Sequence, residues 1–213
     1  MDNAHSPEQL LQTFLACIAN DIVPLTAQRI AEGRGKVFGA AILRKSDLSL
    51  VAAECNTDKE CSLWHGETHC IKCFYELAPE NRPSTKECLF LTTHEPCSLC
   101  LSAITWSGFD NFYYLFTHEE SRDHFDDPYD AEVIRAVFVT PAEGDSSEAN
   151  AGRALYNRTN KFFRATYLPS MLADVADVAN KARLVAKIDG LRTTYAGLMD
   201  EQRKKNRAGF ALQ

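Results

Sequence analysis

Residues 88–117, CLFLTTHEPCSLCLSAITWSGFDNFYYLFT, decide the fold. The run 88–94 (CLFLTTH) reads as a buried strand and 111–117 (NFYYLFT) as another, since both are short, largely apolar and rich in β-formers. Between them, 97–107 reads as a helix. Pro96 suits its start, where the first N–H groups have no intrahelical partner and a missing donor costs nothing.

Working outward, 37–44 (VFGAAILR) and 48–54 (LSLVAAE) read as the two strands of a hairpin, and 65–77 as a helix. A hairpin followed by strands alternating with helices predicts an α/β fold with a mixed sheet covered on both faces. Near the start, 6–23 forms an amphipathic helix. Ser6 is its N-cap, Pro7 sits in the first turn and Gln9 can complete a capping box. Leu10, Leu11, Phe14, Leu15, Ile18 and Ile22 form its apolar stripe, and Pro24 is expected to kink or end it. A short helix is expected at 130–138 and a loop at 141–152 (PAEGDSSEANAG). Beyond Pro169, the positions Leu172, Val175, Val178, Val185, Ile188, Leu191, Tyr195 and Leu198 fit a long amphipathic helix ending in a basic stretch, 203–207. The chain thus divides into a chemical domain, 1–140, and an extension, 141–213. The extension is a loop and helix packed on the first part or on a partner subunit.

The chain has 213 residues, of which 45% are hydrophobic and 24% charged, with a net charge of −6. That balance argues against a broad phosphate-binding surface, which needs clustered Lys and Arg, so a nucleic-acid partner is not expected. The N-terminus lacks a basic segment followed by an apolar one, and no apolar run approaches a membrane span. The expectation is a cytoplasmic protein without a membrane segment. Its eight cysteines are then thiols or metal ligands before they are disulfides.

Two short segments carry chemistry: His65-Gly66-Glu67 and Pro96-Cys97-Ser98-Leu99-Cys100. Imidazole and thiolates are zinc ligands, and three of them leave a fourth position for water. Cys-x-x-Cys at a helix start presents two sulfurs on one turn, where free N–H groups and the helix dipole favour thiolate. His65 would be the third ligand, from the start of the preceding helix. Glu67 is two residues on, about 200° around a regular helix, so both reach one site only if His65 lies at or before the first turn. Glu67 then moves protons instead of ligating. A second arrangement joins Cys70 and Cys73 to Cys97 and Cys100 as a four-cysteine structural zinc site. It leaves His65 and Glu67 without a role; otherwise Cys70 and Cys73 are small buried hydrophobes. His69 is assigned to packing or to support of the ligands.

H-x-E followed by P-C-x-x-C is the pattern of zinc-dependent deaminases acting on bases, and over roughly residues 8–140 the chain resembles the cytidine deaminase-like superfamily. Thr93-His-Glu95-Pro-Cys-Ser-Leu-Cys100, Ala103-Ile-Thr-Trp106 and Phe125-Asp-Asp127 make it most similar to the guanine deaminase and nucleobase or nucleoside deaminase branch. The resemblance implies a three-layer α/β/α sandwich around a mixed five-stranded sheet, here with a helical C-terminal extension. It implies Zn2+ on His65, Cys97 and Cys100, with Glu67 as the catalytic acid and base. It implies substrate contacts from Asn56, a pocket wall at Trp106, and acceptors for an amino group at Asp126 or Asp127. For Asn56 the alternative is a turn residue, for Trp106 plain core, and for the aspartates a helix cap. Glu95 is expected to support its loop. Gly66 stands where the family usually has Ala, which suggests a mild change giving a little more room.

The activity implied is hydrolytic release of ammonia from a small aminated base or nucleoside, guanine-like by preference. The alternatives are a deaminase of cytosine or another small heterocycle, an RNA-editing deaminase, and a zinc-stabilised binding protein without catalysis. A homodimer is expected, because the superfamily usually associates and the 172–198 stripe needs a covering surface.

Overall fold

Gly39–Arg44 (β1) and Leu50–Cys55 (β2) form an antiparallel hairpin in the computed structural model, which describes residues 5–57, 59–125, 127–140 and 142–210, with side chains to 205. Cys88–His94 (β3) pairs antiparallel with β1, while Asn111–Phe116 (β4) and Arg164–Tyr167 (β5) continue the sheet in parallel. The strand order is β2-β1-β3-β4-β5, a mixed five-stranded sheet as expected. The helices, in chain order, are Pro7–Cys17 (α1), Val23–Ala31 (α2), Gly66–Glu76 (α3), Ser98–Trp106 (α4), His118–His124 (α5), Tyr129–Phe138 (α6), Ser147–Ala151 (α7) and Val178–Phe210 (α8).

Alternation along the strands splits the core in two. Ala41, Leu43, Leu89, Leu91, Tyr113 and Leu115 face α1, α2 and α8, whose buried residues include Phe14, Leu15, Ile30, Leu184 and Tyr195. Ala40, Ile42, Phe90, Phe112 and Tyr114 face α3 and α4 through Cys70, Phe74 and Ile104. With both faces covered, the molecule is a three-layer α/β/α sandwich.

Register places the site. Gly39 pairs with Cys55 and Ala40 with Thr92. The C-terminal ends of β2 and β3 therefore reach the same rim of the sheet, and the segments leaving them, 56–65 and 95–97, start side by side.

Four expectations are corrected. Pro24 does not end the first helix: a π-helical turn, Ile18–Ile22, takes the chain into α2 with Pro24 in its first turn, where no donor is needed. The segment 141–213 is not merely an extension, because β5 completes the sheet; four residues, one exposed and three half-buried, carry too little periodicity to be read as a strand. Leu172 lies in a 3₁₀ segment, Leu168–Asp174, with Val175 capping it, while Val178 and Val185 are exposed. The buried stripe of α8 is Leu184, Ile188, Leu191, Tyr195 and Met199, and α1 and α2 of the same chain cover it. The stripe thus has its covering surface without a second subunit. The segment Pro7–Ala31 has the length and apolar character of a membrane span, but Leu10, Leu11, Phe14, Leu15, Ile18 and Ile22 lie in the core.

Candidate metal and catalytic centre

His65 and Cys97 are both N-cap residues, of α3 and α4, with extended backbone. This answers the geometric problem posed by His-x-Glu. Because His65 precedes the first helical turn, its ring and the Glu67 carboxylate can converge on one point. Cys97 Sγ lies 3.5 Å from His65 Nδ1 and 3.5 Å from Cys100 Sγ, and Cys100 Sγ lies 3.7 Å from the same nitrogen. Donors about 2.0 Å (N) and 2.3 Å (S) from a tetrahedral zinc stand about 3.5–3.8 Å apart, so the triad fits the ion without rearrangement. Among the described residues, Cys70 and Cys73 take no part: Cys70 is buried in the core with Phe74, and Cys73 sits beside Glu54. The four-cysteine alternative is excluded on that placement.

Glu67 is buried at 6% exposure, with Oε2 3.3 Å from Cys100 Sγ. Thr92 Oγ1 lies 3.1 Å from Glu67 Oε1 and 2.9 Å from the His94 carbonyl oxygen. Its one hydroxyl hydrogen is shared between these two acceptors. Burial, then the neighbouring Cys97, pushes the Glu67 carboxyl upward in pKa. Burial, then Cys97, lifts Asp130 to about 8. Cys97 is pulled down to about 4 by the hydrogen bond with Cys100, and His65 is lifted to about 9 by its bond with Cys97. Two thiols and two carboxyls thus crowd one imidazole, and burial together with the repulsion between their anionic forms is what raises Glu67 and Asp130. A divalent cation is the charge this donor set lacks.

A small cavity of about 30 Å³ borders the triad, lined by Lys36, Phe38, Asn56, His65, Glu67, His94, Glu95, Cys97, Asp127 and Asp130. That is room for a solvent molecule. Asn56 is buried and lines it. Asp127 lines it too, and also caps the start of α6 by accepting from the Tyr129 N–H at 3.2 Å. Asp126 lies outside the described residues. Trp106 does not wall the cavity: it ends α4, two turns beyond Cys100, and is 91% exposed.

Asp130, Phe38 and His94 were not anticipated. Asp130 was hidden among charges read as a helix start. His94 is 3% exposed, with Phe38, Phe116, Phe125 and Tyr195 around its ring; Nδ1 meets Thr93 Oγ1 at 2.9 Å while Nε2 has no hydrogen-bond partner among the described residues.

Glu95 is fully buried and holds the ligand loop. Its Oε1 accepts from Tyr156 Oη at 2.6 Å and from Arg158 at 2.9 Å, and its Oε2 accepts from the His118 N–H at 3.1 Å. His118 Nε2 lies 3.2 Å from the Pro96 carbonyl oxygen. The loop-support role expected of Glu95 thus has partners that lie up to 63 residues away in sequence.

The family profile described as "Cytidine and deoxycytidylate deaminase zinc-binding region" matches residues 20–116. No curated protein matches the chain. Among solved structures, a guanine deaminase of Bacillus subtilis is similar at 24% identity over 70% of this chain and 86% of that one, with a TM-score of 0.49. A guanine deaminase of Nitrosomonas europaea is similar at 19% identity over 88% and 90%, TM-score 0.44. A structure from a study of tRNA:A34 deaminases is similar at 22% identity over 44% and 75%, TM-score 0.33.

Proposed function

We propose, on the match of residues 20–116 to the profile of the cytidine and deoxycytidylate deaminase zinc-binding region, that this chain is a hydrolytic deaminase of a small aminated base or nucleoside, with a guanine-like purine favoured. The observation that carries this reading is a buried carboxylate, Glu67, set 3.3 Å from one sulfur of a triad at zinc-ligand spacing. His65, Cys97 and Cys100 would hold the metal. When bound, zinc supplies a Lewis acid that brings the pKa of water to about 7.

The residues do the rest. Glu67 accepts a proton from the attacking water and delivers it to a ring nitrogen as the new C–O bond forms. It then takes the remaining proton from the new hydroxyl and passes it to the amino group, the C–N bond breaks, and the products are the carbonyl and ammonia. Thr92 holds Oε1 while Oε2 works. Asn56 and Asp127, on the cavity wall, are read as polar contacts for the ring. The direct test is ammonia release from a panel of aminated purines and pyrimidines by zinc-loaded protein. Release from guanine above all others is expected, and no release from any of them overturns the reading.

A second reading, a phosphate-bearing substrate, has one observation in its favour. An open groove of about 790 Å³ is lined by Arg135, Arg153 and Arg158 beside His118, which touches the Pro96 carbonyl. Preference for a nucleotide or RNA over the free base, lost with rising salt, would select it. A homodimer is part of the proposal. Trp106 and Tyr75 are exposed, and the Tyr75 hydroxyl donates at 3.3 Å to the carbonyl of Ser107, the residue after Trp106, on the surface that a second copy would cover. Light scattering that finds only monomer removes that part.

A further inference from the structure

We infer that Glu54, His69 and Cys73 form a second zinc site, outside the deaminase centre and independent of it. Their donor atoms all lie within 4.8 Å of one another. His69 Nδ1 and Glu54 Oε2 are already 3.3 Å apart, the spacing of two donors about 2.0 Å from one tetrahedral zinc. His69 and Cys73 are four residues apart on α3 and share a face of that helix. Glu54 comes from β2, the edge strand, and pairs in register with Ala40.

The chemistry selects the ion. One imidazole, one carboxylate and one thiolate are a borderline set that suits zinc and excludes Mg2+ and Ca2+, which want oxygen alone. The site is also under-satisfied as it stands. His69 Nδ1 faces two acceptors, the Cys55 carbonyl oxygen at 3.1 Å and the Glu54 carboxylate, with one hydrogen to offer. Zinc binding expels the Cys73 thiol proton to solvent and shifts the His69 proton from Nδ1 to Nε2, giving up the hydrogen bond to the Cys55 carbonyl. The three lone pairs then point at one cation, and a fourth position stays open to water. Solvent reaches the site: among the described residues no strand pairs beyond β2, Cys73 is half-buried and the Glu54 side chain is 24% exposed. A metal here would brace α3, which carries His65 and Glu67, against the strand that leads into Asn56.

The test is zinc stoichiometry on the full chain, stripped by chelation, reloaded with excess zinc and desalted. Two zinc ions per chain are expected for the wild type and one each for Cys73→Ser and Glu54→Gln. Cys97→Ser should also hold one, and replacing that ion with Co2+ should give the sulfur-to-metal absorption of a single thiolate, absent in Cys97→Ser/Cys73→Ser. One ion in the wild type that Cys73→Ser keeps and Cys97→Ser loses overturns the second site and leaves the deaminase reading standing. One ion lost with Cys73→Ser but kept in Cys97→Ser does the reverse. Cys73→Ser should retain deaminase activity, which separates loss of this ion from loss of the catalytic one.

Discussion

Gly66 lies directly against Gly39: a methyl group on Gly66 would come within 2.7 Å of the Gly39 Cα and 2.9 Å of its nitrogen. Helix α3 therefore starts on bare backbone of β1, and that contact sets how deep His65 and Glu67 sit. Read from the sequence, the glycine suggested extra room; in the fold there is none. Gly66→Ala should cost about 1–3 kcal/mol by overpacking and should weaken zinc binding, because backbone and not a pliable side chain blocks the methyl. Urea denaturation and metal content of the variant check this; wild-type values for both would show that the contact yields freely.

Glu67→Gln should keep the fold and the zinc but lose about 10²–10⁴-fold in turnover, the usual worth of a general acid–base. Glutamine preserves the Thr92 contact but cannot carry the proton. Single-turnover kinetics on metal-loaded protein make the measurement. A variant within severalfold of wild type would move the proton transfer to another group, with Asp130 the first candidate.

Metal removal should destabilise as well as inactivate. A ligand held only by the folded state contributes about 4 kcal/mol when present at a thousand times its dissociation constant. Chelated protein should therefore melt earlier, and Cys100→Ser should melt at the same temperature with and without added zinc, once the second site is blocked by Cys73→Ser. A zinc-induced rise in that double variant would place the ion elsewhere.

The Glu95 network should divide unequally. Tyr156→Phe removes a 2.6 Å bond to a fully buried carboxylate and should cost about 1.5–3 kcal/mol. Arg158→Ala should cost less, about 1 kcal/mol or under, because its side chain is 54% exposed and solvent screens the pair. Thermal denaturation of both variants decides the order. Equal losses would mean that the guanidinium is better shielded than its exposure says.

His94 should make the metal-free protein acid-sensitive. Burial pulls its imidazole from 6.5 down to about 3. Below pH 6.5 the unfolded chain gains a proton that the folded chain refuses, so the stability held by neutral His94 is whole above 6.5 and is lost as pH falls from 6.5 toward 3. One proton is worth about 1.4 kcal/mol per pH unit. Relative to His94→Phe, the wild type should lose about 2 kcal/mol between pH 6.5 and 5. Parallel curves for the two proteins would show that the ring is protonated in place.

Much of this was legible in the linear chain. The Ser6/Gln9 capping box, the β3–α4–β4 succession and the His65/Cys97/Cys100 triad depend on neighbours a few residues apart or on ligand chemistry with few solutions. Helix α5 was missed although Thr117 and Glu120 form a capping box, because its seven residues carry no apolar period to announce it.

What the sequence determined by itself was the set of local structures and the identity of the donors, since capping, periodicity and zinc affinity are properties of short segments. Only the tertiary structure decided that Arg164–Tyr167 closes the sheet, that the α8 stripe is covered from within, that Trp106 faces solvent, and that Glu54 meets Cys73. Those outcomes depend on which surfaces are buried against each other. Burial is settled by the packing of distant segments, which no local pattern encodes.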